Sequence, residues 1–249
     1  MNAAGPLAHD SWTLARGSVL ASAGEVHVWR LDVARAAADA ERLWSRLSAD
    51  EQTRAASFAF TRDRIRFVVA RAGLRQLLGH ALGRDGARLA FAINRFGKPR
   101  LADGGRLAFN VSHSADRAVY ALALDREVGI DVEAIRAGFL AEADPAHFFA
   151  PRELAELRRA PAAEQTDRFF AGWSRKEAYM KARGLGLSKP LDRFAVSLAP
   201  ADAALLEDRD DAAAVARWTL APLAIAPGYS GALCADGPFT LRLGDLLLE

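Results

Sequence analysis

The sequence predicts an α+β protein made of two similarly built halves that meet near residue 125. Three observations predict it. Short apolar runs are bounded by turn residues, two long stretches (62–82 and 164–183) carry helical periodicity, and the order along the chain is strand, helices, strands, helices, strands. At 249 residues the chain can form one large domain or two smaller ones, each with its own core. No sequence repeat relates the halves, and no Gly/Ser linker separates them.

Residues 25–31 (EVHVWRL) alternate apolar and polar, the pattern of a half-buried strand. An Ala-rich stretch follows, with Ala40, Leu43, Trp44 and Leu47 at helical spacing, and Ser48 ahead of Asp50 and Glu51 reads as an N-cap with acids in the first turn. In 62–82, Ile65, Val68, Val69, Ala72, Leu77 and Leu78 would face a core, with Arg64, Arg71 and Arg75 on other faces. Residues 89–93 read as a strand, Gly97-Lys98-Pro99 and Asp103-Gly104-Gly105 as turns, 107–113 and 117–124 as a hairpin, and 127–133 as a further strand. Pro151 suits the first position of a helix, and the helix over 164–183 ends at Gly184, a natural C′ glycine. Residues 193–198, 215–221, 229–234 and 239–243 complete the strands.

Charge and composition narrow the function. Lys and Arg number 33 against 31 Asp and Glu, a net charge of +2, so attraction to anions must come from local clusters. No basic–aromatic platform for nucleic acid is visible. The single Cys234 rules out an intrachain disulfide and a cysteine metal site. His9, His27, His80, His113 and His147 are far apart and show no zinc-ligand spacing. The segment MNAAGPLAHDSWTLARG lacks signal-peptide character, and no apolar run approaches the ~20 residues that span a bilayer. A cytoplasmic protein is expected.

Three polar constellations carry chemistry. Asp131 and Glu133 in VGIDVE are two apart on a strand and share a face, with Val128, Ile130 and Val132 on the other. Such a carboxylate pair either meets water at a sheet edge or is bridged by a hard divalent cation. Trp173, Glu177 and Lys181 share one helical face, and on spacing alone Glu177 and Lys181 form only an exposed ion pair. Phe109-Asn110-Val111-Ser112-His113-Ser114 ends a strand in a polar cluster, which fits either phosphate donation or turn chemistry. A serine-hydrolase role for Ser112 fails, since no GxSxG elbow is present and neighbouring Ser and His point to opposite faces.

Together and in this order, FGKP, FNVSHS, VGIDVE and WSRKEAYMK resemble the surfactin-type (Sfp-type) 4′-phosphopantetheinyl transferases over roughly residues 47–198. The resemblance implies a pseudo-dimer of two α+β halves, each an antiparallel sheet with packed helices. Residues 1–125 would form the coenzyme A nucleotide side, and 126–249 would carry the metal-binding carboxylates and the KExxxK helix. It implies magnesium, or manganese in its place, on Asp131, Glu133 and Glu177. Coenzyme A would be held by Lys98, Ser112, His113, Lys176 and Lys181, with Arg66 and then Arg71 on its 3′-phosphate. Glu177, Lys181 and Asp131 would be catalytic, with Glu177 or a metal-bound water as base. Relatives often carry bases ahead of the Phe58 position. Asp50, Glu51 and Gln52 stand there in this chain, leaving Arg54.

The implied partner is an acidic acyl- or peptidyl-carrier protein. It would dock on the Arg-rich helix at 62–75 or on the chain between Arg136 and Arg159, which includes Phe148 and Phe149. A monomer is expected. The competing readings are another magnesium-dependent pyrophosphate enzyme and a silent scaffold that binds coenzyme A or a carrier.

Overall fold

The computed structural model describes Trp12 and residues 22–249; the remaining N-terminal residues, His9 and the segment read for a leader among them, lie outside the described part. The first half contains β1 (Glu25–Asp32), α1 (Val33–Ala36), α2 (Ala40–Trp44), α3 (Ala49–Ala56), α4 (Thr61–Leu82), β2 (Phe91–Ile93), β3 (Pro99–Leu101), β4 (Leu107–Ser114) and β5 (Arg117–Leu124). The second contains β6 (Val128–Ala134), α5 (Phe139–Glu142), α6 (Pro151–Arg159), α7 (Ala162–Arg183), β7 (Phe194–Val196), β8 (Leu205–Asp208), α8 (Ala214–Arg217), β9 (Trp218–Leu223), β10 (Tyr229–Asp236) and β11 (Thr240–Asp245). This is the predicted α+β class. The strands β3 and β8, only three and four residues long, were not foreseen, and residues 215–217, read as the start of a strand, belong to α8.

The two principal sheets have matching order. In the first, β1 pairs with β5 and β5 with β4, all antiparallel. In the second, β6 pairs with β10 and β10 with β9, again antiparallel. The long helices α4 and α7 hold corresponding places, each of 22 residues and each ended by a glycine in the left-handed region, Gly83 at φ 60° and Gly184 at φ 64°. The last strand breaks the pattern, because β11 crosses back and pairs parallel with β1.

Alternation of side chains along the strands creates the layers. Tyr120 and Leu122 of β5 pack with Leu74 and Leu77 of α4, while Val119 and Ala121 turn the other way. There they meet Val26 and Val28 of β1 and Val128, Ile130 and Val132 of β6, a dry layer between the two sheets. Full burial of each such Val or Ile contributes roughly 1.5–3 kcal/mol. On the far side of the second sheet, Ala178, Tyr179 and Ala182 of α7 cover Ala232 and Cys234. The layer order is thus α4, first sheet, second sheet, α7.

Helix α4 departs from the expected amphipathic pattern. From Val68 to Ala81 most of its residues are buried, because α2 and α3 cover the face turned away from the sheet. Arg64 is exposed, but Arg75 is 2% exposed and donates through Nε to Glu51 Oε2 at 2.6 Å. Glu51 is equally buried; the same Oε2 accepts the Ser48 amide at 3.1 Å and Oε1 lies 2.7 Å from Arg71 Nε. The acid that seemed to intrude on a basic segment is therefore the anchor of α3 on α4.

Candidate active site

The face of β6 opposite the dry layer carries Gly129, Asp131 and Glu133. A Cβ on Gly129 would stand 2.2 Å from both the Ala178 carbonyl oxygen and the Ala182 amide nitrogen of α7. Only glycine lets the helix rest directly on the strand backbone. That close approach turns Trp173, Glu177 and Lys181, one helical face, onto the two carboxylates, as their spacing predicted.

The second wall comes from β4. Its alternate residues Asn110, Ser112 and Ser114 point across the gap between the edges of the two sheets. Asn110 Oδ1 accepts the Ile130 amide at 2.9 Å, Ser112 Oγ donates to Asp131 Oδ1 at 2.9 Å, and Ser114 Oγ donates to Glu133 Oε2 at 3.0 Å while accepting the Ala134 amide at 3.1 Å. Strand β4 thus closes the otherwise bare edge of β6 with side chains instead of backbone.

Charge in this seam is crowded. Asp131 is 2% exposed; its Oδ1 receives Lys181 Nζ at 2.6 Å, and Lys181 also donates to Ser112 Oγ at 2.9 Å. Its Oδ2 is buried without a hydrogen-bond partner among the described residues. Glu133 accepts from Trp173 Nε1 at 3.3 Å besides Ser114, yet burial and then the charge of Asp131 raise its pKa above the usual carboxylate range. Glu177 makes no hydrogen bond to the described residues, and burial followed by repulsion from Asp131 pushes it up to about 7. A buried acceptor left unpaired costs about 1–3 kcal/mol. Three carboxylates with one lysine and an orphaned oxygen have room for one more cation. Their hard oxygen donors fit magnesium. Among the described residues, however, no three acidic, histidine or cysteine side chains stand close enough together to hold a metal ion as they are placed.

Other expected residues sit differently. His113 points out of the strand at the exposed rim, where local shielding from water and then the charge of Lys181, with smaller contributions from Arg54 and Arg66, lower its pKa. Arg66 pairs with Asp116 at 2.8 Å, exposed Arg54 lies over the Phe67 ring, and Arg71 is held by Glu51. Lys98 is outside the carboxylate cluster, bonded to Glu127 and the Ala182 carbonyl.

Lys176 requires a correction. It is fully buried, its ammonium taken by Glu153 at 2.7 Å and by the carbonyls of Leu191 and Phe194 at 2.7 Å each, so it has no route to a ligand. Phe149, expected on a docking surface, is likewise 1% exposed in a cluster with Phe169 and Phe170. Sequence reasoning missed the parts played by Asn110 and Gly129, and read Ser114 as a phosphate donor or turn residue where it instead orients Glu133. The polar residues at 110, 112 and 114, two apart and so on one face of the strand, were the available signal.

Carboxylates beside a lysine, at a seam between strand and helix, make this the candidate active site. Comparison with known proteins specifies the enzyme class. Residues 127–234 match the 4′-phosphopantetheinyl transferase superfamily, and residues 36–124 match the 4′-phosphopantetheinyl transferase N-terminal family. The chain is 38% identical over 187 residues to the 4′-phosphopantetheinyl transferase HetI of Nostoc sp., covering 74% of this chain and 78% of that protein. It is 30% identical over 198 residues to the 4′-phosphopantetheinyl transferase Sfp of Bacillus subtilis, covering 80% and 86%. A solved Chronobacterium ammoniagenes ACPS–CoA complex aligns with 44% of this chain and 95% of that one, at 19% identity and a TM-score of 0.33. The chain belongs to the 4′-phosphopantetheinyl transferase superfamily, and it is an enzyme of phosphopantetheine transfer.

Proposed function

We propose that the carboxylate–lysine seam transfers the 4′-phosphopantetheine arm of coenzyme A to a serine of an apo carrier protein. The serine oxygen bonds to the β-phosphorus, the bond from that phosphorus to the bridging oxygen breaks, and 3′,5′-ADP leaves with the electron pair. The serine proton passes to Glu177 or to solvent. One observation carries the reading: Lys181 bridges Asp131 and Ser112 beside an unpartnered, buried carboxylate oxygen, with Glu177 facing the same point.

Asp131, Glu133 and Glu177 would hold magnesium. When bound, the ion supplies charge neutralisation for the pyrophosphate oxygens. Ser112 and Ser114 fix the orientation of two of these carboxylates, and Trp173 holds the second oxygen of Glu133. Lys181 leaves Asp131 for the leaving phosphate as charge develops there. Arg54, Arg66 and His113 line the nucleotide side, which is supported by the cationic field they share at His113. Arg71 is a reserve contact, since Glu51 already holds it.

The molecule acts as a pseudo-dimer of halves joined near residue 125, supported by the matching order of three strands in each sheet and by the two family matches that abut there. It works as a monomer in the cytoplasm; no helix among the described residues is long and apolar enough to cross a membrane. The test is intact mass of an apo carrier after incubation with the protein, coenzyme A and magnesium. The expected result is addition of the phosphopantetheine arm, absent with Asp131→Ala. No modification across fatty-acid, polyketide and peptide-synthetase carriers would defeat the reading.

A further inference from the structure

We propose that the β2–β3 turn is a brace between the halves that sets the C-terminal end of α7, and that its Lys98 is a positioning residue, not a coenzyme A ligand. The proposal rests on the transferase reading of the seam, because α7 carries Glu177 and Lys181.

The turn is organised from within. Asn94 Oδ1 accepts the amides of Phe96 and Lys98, both at 2.9 Å, and Gly97 takes φ +91°, a conformation that suits glycine. With Oδ1 so occupied, the amide nitrogen of Asn94 is turned outward. It donates to the Gly184 carbonyl at 2.9 Å, on the residue that ends α7. Lys98 Nζ reaches the carbonyl of Ala182 at 2.8 Å, the residue directly after Lys181.

The last carbonyls of a helix have no partners within it and carry the negative end of its dipole. A lysine and a carboxamide from the other half supply donors there. The same ammonium lies 2.5 Å from Glu127 Oε2, just ahead of the strand that bears Asp131 and Glu133. Lys98 thus joins the start of the carboxylate strand to the end of the lysine helix. Packing at this point is close, since a Cβ on Gly184 would be 3.0 Å from Asn94 Nδ2 and 3.2 Å from Lys98 Cδ. The Lys98 side chain is 14% exposed, and two of the three N–H donors of its ammonium are already engaged by the Glu127 and Ala182 oxygens.

Four variants and three readouts decide it. Lys98→Met should lower kcat roughly 10- to 100-fold, the scale of a small misplacement of reacting groups. Its Kd for 3′,5′-ADP by calorimetry should stay within about twofold. Asn94→Ala, which removes no charge, should lower kcat in the same way. The double variant should be little worse than the stronger single, since both act on one helix end. Lys98→Arg, still able to donate to the Ala182 carbonyl, should recover most of the rate.

Hydrogen exchange at the Gly184 and Leu185 amides, which bond to the carbonyls of Lys181 and Met180, should quicken in Lys98→Met and in Asn94→Ala. Nucleotide binding weakened about tenfold or more in Lys98→Met, with kcat intact, would place the lysine on the ligand and overturn the proposal. Unchanged exchange at these amides would overturn it too. Exchange needs no turnover, so a parent protein that transfers nothing would defeat the transferase reading and still leave the brace to be decided.

Discussion

Replacing Glu177 by glutamine should stabilise the metal-free protein while abolishing transfer. The ionised side chain sits half-buried beside Asp131, and its pKa moves from the ordinary 4.5 to about 7. Below pH 4.5 folded and unfolded chains both hold the proton, and Glu177 costs nothing. Between 4.5 and 7 the folded chain keeps a proton that the unfolded chain has released, so stability falls as pH rises, and above 7 the loss is complete. At roughly 1.4 kcal/mol per pH unit the full loss is about 3 kcal/mol, and water reaching the side chain reduces this to about 1–3 kcal/mol. For a chain of this size each kcal/mol moves Tm by about 2–4 °C. Glu177→Gln with chelator present should therefore melt several degrees above the parent at pH 8 and at the same temperature as the parent at pH 4. Saturating magnesium should narrow or reverse the gap, because the parent binds the ion better. Equal melting temperatures at pH 8, or an advantage that is the same at pH 4 and pH 8, would refute the electrostatic account of the seam.

Gly129→Ala should force α7 away from β6, since the obstructing atoms are backbone; urea unfolding should show a loss of about 1–3 kcal/mol, with transfer reduced alongside. Lys176→Met leaves the buried Glu153 without its partner and should cost about 3–5 kcal/mol, most of which Lys176→Met with Glu153→Gln should restore; a single variant as stable as the parent would contradict the buried pair. Arg62→Glu, at a side chain 73% exposed in the first turn of α4, should raise KM for the carrier several-fold and leave KM for coenzyme A unchanged, and equal effects on both would remove this helix from the docking surface.

Much of the seam was legible because two periodicities coincide in it. A step of two placed Asp131 with Glu133, and a step of four placed Trp173, Glu177 and Lys181 on one face. What stayed hidden were charged groups used inward. Lys176 neighbours Glu177 in sequence but lies about 100° round the helix, facing Glu153 and β7, and membership of a motif does not say which way a side chain points. Glu51 looked like an ordinary first-turn acid because its partners, Arg71 and Arg75, lie 20 and 24 residues further on. The wholly buried stretch of α4 escaped the amphipathic reading for a related reason, since short helices with weak signals cover its second side.

The return of β11 to β1 has a consequence for how the chain is made. Synthesis delivers the first half before the second, and its strands β1, β5 and β4 can pair as soon as they emerge. The outer side of β1 must wait until residues 240–245 have been added. A nascent or truncated chain lacking them would present the bare backbone of residues 25–30 as a template for pairing with other chains. Completion of the first sheet is thus coupled to the arrival of residues 240–245, more than a hundred residues after its other three strands.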